Sequence, residues 1–188
     1  MISFEQAFAK TKTTKYYHKY HRHYQEILGS RKIDSVLEIG AFLGHSLHSW
    51  RMVWPNAVIE SIDLDRRYDL KLEDEFKIYN FDTTDKEAVD KNIKRTYDIV
   101  IDDGNHHWLK QTETFFNMYN KAEKFYVLED IQGEYSLEKL KGTLPPVVFD
   151  NSLLYTPQDA PTRDFRFGDY VEHRGLFKLM FIPAGLDF

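Results

Sequence analysis

Three short stretches of this chain hold the side chains that could do chemistry. Asp102-Asp103-Gly104-Asn105-His106-His107 follows the apolar run YDIVI (97–101). Glu129-Asp130 closes the run FYVLE (125–129) and stands just beyond it. The stretch VLEIGAFLGHS, Val36 to Ser46, sets Gly40 and Gly44 beside Glu38 and Ser46. If the carboxylates of Asp103, Glu129 and Asp130 gather at one point, they cannot all stay ionised without a cation. A hard divalent ion such as Mg²⁺ takes oxygen ligands and leaves positions for water or substrate. A histidine at position 106, with an ordinary pKa of about 6.5, could take a proton near neutrality. The other reading is that Asp103 caps a helix and the remaining two form ion pairs.

The glycine turn suits a ligand. Gly40 lets the backbone bend sharply and approach a bound molecule, with no Cβ in the way. Gly44 allows a close start to a helix, and Ser46 lies in its first turn, where free N–H groups and a hydroxyl can meet a carboxylate. About twenty residues after Gly40, Asp63 ends the next apolar run, the place where an acid accepts hydrogen bonds from ribose hydroxyls. Asp82 ends the third and could accept from an adenine amino group. Taken singly these are ordinary turn residues; in this order and spacing they point to a nucleoside. The spacing is G-x-x-x-G, which differs from the dinucleotide G-x-G-x-x-G.

Such residues need parallel strands to bring them to one edge. Five runs rich in Val, Ile, Phe and Tyr alternate with helical stretches: 35–39, 57–62, 76–80, 97–101 and 125–129. Runs apolar on both faces predict a parallel sheet covered on both sides by right-handed βαβ crossovers. In that arrangement strands four and five lie about 5 Å apart. Leu47, Trp50 and Trp54 recur at helical spacing before Pro55. Thr84 and Glu87 read as a capping box. Trp108, Thr112, Phe115, Phe116 and Tyr119 line one helix face. PVVFD (146–150) and LFKLMFI (176–182) read as two further strands, with a loop over 151–175 between them. Residues 4–28 read as helical. Between 10 and 32 they interleave Lys10, Lys12, Lys15, Lys19, Arg22, Arg31 and Lys32 with four tyrosines. We read this as an amphipathic segment whose tyrosines pack on the sheet while its lysines face water.

The pattern E-x-G-x-x-x-G after a Val-Leu strand, followed by an acidic end to the second strand, resembles class I S-adenosylmethionine-dependent methyltransferases. IDDGNHHWLKQTETF with YVLEDIQ narrows the resemblance to the metal-dependent macrocin- and mycinose-type sugar O-methyltransferases and their cephalosporin-hydroxylase-like relatives, over roughly residues 12–131. The chain departs from them at Asn105, at Lys110 and at Ala122-Glu123-Lys124. The resemblance implies an α/β Rossmann-like three-layer sandwich, with a seven-stranded, mostly parallel sheet whose last strand is antiparallel. It implies donor binding by Glu38, Gly40, Gly44, Ser46, Asp63, Asp82 and Asp102, a metal on Asp103, Glu129 and Asp130, and catalysis by Asp103 with His106 as base. His18 and Tyr20 are further site candidates. Expected cofactors are S-adenosylmethionine and Mg²⁺ or another hard divalent cation. The expected activity is O-methylation of a sugar or other polyhydroxylated small molecule. A related oxidising enzyme and a non-catalytic S-adenosylmethionine-binding protein are the competing functions.

The bulk of the chain is compatible with this. Its 188 residues suit one methyltransferase domain, with 1–32 as a helical segment and 33–188 as the Rossmann-like core. A net charge of -5 argues against a nucleic-acid partner. The absence of cysteine excludes thiol catalysis and thiolate metal sites. No apolar leader or membrane-length run is evident, so the expected location is the cytoplasm, with no membrane partner. A homo-oligomer is compatible with the sequence.

Overall fold

The computed structural model describes residues 2–155 and 177–188. Its strands are β1 (Ser35–Ile39), β2 (Val58–Ile62), β3 (Lys77–Tyr79), β4 (Tyr97–Asp102), β5 (Ala122–Gln132), β6 (Leu153–Tyr155) and β7 (Phe177–Pro183). They form one sheet in the order β3-β2-β1-β4-β5-β7-β6. The first five pair in parallel, and β7 runs antiparallel to both β5 and β6. This is the seven-stranded, mostly parallel sheet expected from the sequence.

The helices are α1 (Phe4–Thr11), α2 (Thr14–Tyr17), α3 (Tyr20–Leu28), α4 (His45–Val53), α5 (Leu72–Glu75), α6 (Lys86–Asn92), α7 (Trp108–Met118), α8 (Gly133–Thr143) and α9 (Pro146–Asn151). Every residue of β1 and β4 is buried, because helices cover both faces of the sheet. On one face Val36, Ile59, Ile99 and Val127 pack with Phe4, Phe8, Tyr24 and Trp50, from α1, α3 and α4. On the other, Leu37, Val100, Tyr126 and Leu128 pack with Val89, Phe115 and Leu140, from α6, α7 and α8.

Several local expectations differ from what is found. PVVFD is α9, not a strand. Pro146 sits at the start of the helix, where its fixed φ fits and its missing N–H costs nothing. The sixth strand is instead Leu153–Tyr155, inside the stretch read as a loop. The rest of that loop, 156–175, lies outside the described residues. The cap of α6 is Asp85, whose carboxylate accepts from the Glu87 and Ala88 N–H groups; Thr84 turns back to Asp82. On α7, Phe115 is buried while Phe116 is exposed. In the N-terminal segment Tyr20 and Tyr24 are buried as expected, but Lys15 is buried too, at 1% exposure.

Two features of this frame matter for the site. β5 carries a bulge, where its pairing with β7 passes from Leu128↔Met180 to Ile131↔Lys178. Glu129 and Asp130 therefore stand together opposite Leu179, and Asp130 has a left-handed φ of 53°. Likewise Lys12 (φ 59°) and Lys19 (φ 55°) are left-handed on either side of α2. Non-glycine residues hold that conformation at a cost that the surroundings must offset.

The N-terminal helices are part of the core. Phe8 is fully buried, its ring 5.2 Å from Trp50 and 5.9 Å from Tyr24. Phe8→Ala is expected to lower the unfolding free energy by about 3–5 kcal/mol in denaturant titrations. An unchanged midpoint would mean that α1 is not integral to the fold.

Candidate functional site

The carboxyl ends of β1, β2, β4 and β5 open on one edge of the sheet. After β1, Gly40 turns at φ 92°. A Cβ there would lie 2.2 Å from the Asp103 carbonyl oxygen, so only glycine lets the first turn pack against the end of β4. The Gly40 N–H donates to the Ile62 carbonyl, and the Asp103 N–H donates to the Ile39 carbonyl, tying three strand ends together.

Asp63, at the end of β2, organises the neighbouring loops. Its Oδ2 accepts from the Phe42 N–H at 2.9 Å; its Oδ1 accepts from the N–H groups of Asp65 and Arg66 at 2.9 and 2.8 Å. Phe42 and Arg66 are both left-handed, at φ 48°. The carboxylate therefore pins two strained turns, and lone pairs remain for a ligand hydroxyl. Asp82 is exposed and accepts from the Thr84 N–H and hydroxyl at 2.9 and 2.8 Å. Ser46, in the first turn of α4, faces Glu38. Its hydroxyl donates to Glu38 Oε2 at 2.7 Å, an oxygen that also accepts from the Trp50 indole at 3.0 Å. Asp102 is buried and accepts from the Tyr126 hydroxyl at 2.9 Å; burial raises its pKa to about 7 despite that bond.

Beyond β4 and β5 the expected carboxylates do come together, and a residue absent from the sequence-based site joins them. Lys15 of α2 reaches across the sheet edge. Its Nζ lies 2.5 Å from Asp103 Oδ2 and 3.1 Å from Glu38 Oε1, and it also donates to Glu129 Oε2. Glu129 Oε1 accepts from the Tyr24 hydroxyl at 2.5 Å. Gln111 on α7 donates to the Glu129 carbonyl at 2.9 Å, fixing the bulge from behind. Burial pushes the Glu129 carboxyl well above the usual carboxylate range, against the pull of Lys15.

Asp130 takes the other side of the bulge. Its Oδ1 accepts from the Tyr20 hydroxyl at 2.7 Å and lies 3.3 Å from His18 Nδ1. The further candidates His18 and Tyr20 thus meet the same carboxylate. Burial alone would raise the Asp130 pKa, but His18, His106 and Tyr20 hold it well below its ordinary value. His106 Nε2 lies 3.3 Å from Asp103 Oδ1 and 3.8 Å from Asp130 Oδ2. That nitrogen is buried and has no hydrogen bond of good geometry. His107, by contrast, is exposed, and its Nδ1 accepts from the Leu109 N–H as the cap of α7.

Among the described residues Asp103, His106 and Asp130 each offer one ligand atom, and the three atoms lie within 4.8 Å of one another. The unpartnered nitrogen aimed at two carboxylates fits a divalent cation. Glu129 stands outside this group, its oxygens taken by Lys15 and Tyr24.

Comparison with protein families finds no match, and neither does comparison with curated proteins. Solved structures do match. MycE methyltransferase of the mycinamycin biosynthetic pathway, solved with Mg, SAH and mycinamycin VI, has a TM-score of 0.68 at 22% identity over 98% of this chain and 54% of its own. A SAM-dependent methyltransferase from Archaeoglobus fulgidus has a TM-score of 0.57 at 13% identity over 94% of this chain and 97% of its own. The O-methyltransferase TomG from Streptomyces achromogenes, solved with SAM, has a TM-score of 0.53 at 13% identity over 97% and 88%. At these identities the likeness shows the fold: the sheet and helices of this chain have the class I methyltransferase arrangement. The chain spans about half the length of MycE.

The surroundings of His106 give a pH signature. Burial alone would lower its pKa, but the Asp103 carboxylate 3.3 Å away and the charge of Asp130 raise it to about 9. The unfolded value is about 6.5. A raised histidine stabilises the fold fully below the unfolded pKa and loses that contribution as pH rises through the folded one. Metal-free protein should therefore lose stability between about pH 6.5 and about pH 9. His106→Asn should flatten that slope in denaturation measured across the range.

Proposed function

We propose that this chain is an S-adenosylmethionine-dependent O-methyltransferase acting on a hydroxyl of a sugar or other polyhydroxylated small molecule. The observation that carries the reading is the direct packing of the glycine turn against the acid–histidine cluster, so close that a Cβ added at Gly40 would lie 2.2 Å from the Asp103 carbonyl oxygen. Donor and acceptor would meet across that contact. MycE, whose structure includes Mg, SAH and mycinamycin VI, lends support through its fold.

The donor would lie over the Gly40 turn, its ribose on the free lone pairs of Asp63 and its adenine toward Asp82. Gly44 permits the close start of α4, while Glu38, held by Ser46 and Trp50, stiffens the floor of the crevice. Asp102 acts from beneath, supporting the Gly104 turn through a 3.3 Å bond from its N–H. The acceptor oxygen attacks the sulfonium methyl carbon in line; the new C–O bond forms as the C–S bond breaks and its electron pair stays on sulfur. The hydroxyl proton passes to His106 Nε2. Asp103 and Asp130 flank that nitrogen and stabilise the imidazolium, so His106 accepts the proton in its neutral form, which in the metal-free protein is the minor form below about pH 9. Positioning both reactants in line supplies much of the remaining rate.

Mg²⁺ or a similar cation would be held by Asp103 and Asp130, and when bound it would lower the acceptor hydroxyl's pKa and fix its position. Glu129, which the resemblance assigns to the same ion, would act through Lys15 instead. In a second reading His106 is itself a ligand, favoured by the buried, unpartnered state of its Nε2. One nitrogen cannot do both at once.

Calorimetry with S-adenosylmethionine, followed by mass spectrometry for a methylated product over a panel of sugars and diols, tests the proposal. Saturable donor binding and a product heavier by one CH₂ are expected; no donor binding refutes it. His106→Ala should slow methyl transfer by about 10²–10⁴-fold with metal affinity unchanged if His106 is the base. Weakened metal affinity would transfer it to the ligand set.

A further inference from the structure

The carboxylate cluster already contains a cation of its own. Lys15 is 1% exposed, and an ammonium has three N–H donors. Three carboxylates, from β1, from just past β4 and from β5, face it: Glu38 at 3.1 Å, Asp103 at 2.5 Å and Glu129. Two of its donors are spent on Asp103 and Glu129, and Glu38 Oε1 stands beside it as an ion pair without a hydrogen bond. The partners are themselves fixed. Glu38 is held by Ser46 and Trp50, and Glu129 by Tyr24. The ammonium is delivered by α2, a single turn set between two left-handed residues, Lys12 and Lys19. Such a backbone points one side chain into one place and leaves little freedom to withdraw it.

Asp103 is shared. Its Oδ2 faces Lys15 and its Oδ1 faces His106. Any divalent ion on Asp103 therefore sits on a carboxylate that an ammonium already holds. Both Glu129 oxygens are occupied, one by Lys15 and one by Tyr24.

We propose that Lys15 is the resident cation of this cluster and sets its metal affinity: its ammonium fills the position between Asp103 and Glu129, confining a divalent ion to the Asp103 and Asp130 side of the cluster and weakening its hold. The inference rests on the cation role proposed above for Asp103 and Asp130. Two physical effects act together. Two cations sharing one carboxylate repel in a site of low dielectric. The lysine also removes an oxygen donor, Glu129, from an ion that prefers oxygen ligands. Lys15 is thus a specificity residue for the site, with a dry ammonium doing the neutralisation otherwise left to the metal.

The test uses Mn²⁺ alone as probe, titrated into the full chain without donor or acceptor, at one fixed pH. Free Mn²⁺ is followed by electron paramagnetic resonance, and the fold is checked by circular dichroism. Lys15→Met removes the charge and keeps the apolar stem. It should bind Mn²⁺ at least about tenfold more tightly than the unaltered protein. Equal or weaker binding by folded Lys15→Met overturns the proposal, and so does the absence of Mn²⁺ binding in both. A second pair of variants serves if Lys15→Met does not fold. Glu129→Gln should leave the Mn²⁺ affinity within about threefold, because Glu129 faces Lys15. Asp130→Asn should weaken it about tenfold or more. Equal losses in the two variants would make Glu129 a ligand and refute the inference. Titration with S-adenosylmethionine is separate: its failure removes the methyl-transfer reading and leaves the Mn²⁺ result to stand or fall by itself.

Discussion

The carboxyl edge of this sheet depends on one buried ion cluster, the Lys15 ammonium among Glu38, Asp103 and Glu129. Glu38 comes from β1, Glu129 from β5 and Asp103 from the residue just past β4, so the ammonium fastens the ends of these three strands where the crevice opens. A buried ion pair contributes little net stability when compared with an apolar replacement, but removing one member leaves an uncompensated charge, which costs much more. The cluster is therefore better understood as a device for placing groups than as a source of stability. It keeps three acids close together and leaves Asp103 with one oxygen free to face His106.

The bulge in β5 divides the labour of its two acids. In a regular strand Glu129 and Asp130 would point to opposite faces of the sheet. The bulge and the left-handed backbone at Asp130 bring both carboxylates to the same edge, one toward Lys15 and Tyr24, the other toward His18, Tyr20 and His106. The strain at Asp130 thus coincides with the place where the chain departs from ladder geometry to aim a side chain. Asp63 does similar work nearby, where its hydrogen bonds hold two further left-handed residues.

Much of this was legible in the sequence because it depends on periodicity and on residues with few structural uses. Apolar runs alternating with helical stretches imply parallel strands, and parallel strands put Asp63, Asp82 and Asp103 at one edge. Gly40 was readable because a sharp turn that packs against another strand end excludes a Cβ. The C-terminal elements were harder. A short Val-Val-Phe run carries no periodicity long enough to separate strand from helix, and Pro146 decided it as a helix start. Lys15 could not be found by pattern at all. A lysine on a helical, basic segment is nearly always solvated, and its burial depends on acids that lie far along the chain. Ser46 was placed correctly in the first turn of α4, but the sequence does not show that its hydroxyl meets Glu38, eight residues earlier on β1.

That distance along the chain bears on how the molecule assembles. Lys15 and Glu129 are 114 residues apart in sequence, and Tyr20 and Asp130 are separated by 110. On the ribosome the N-terminal helices emerge long before β5 exists. Until β5 joins β4, the ammonium lacks Glu129 and the hydroxyls of Tyr20 and Tyr24 lack their carboxylates. Contacts of such long range close late and slowly, because the loop entropy must be overcome first. The crevice is therefore completed only when nearly the whole sheet has formed, and partly folded chains present a hydrated, open edge in place of a half-built site.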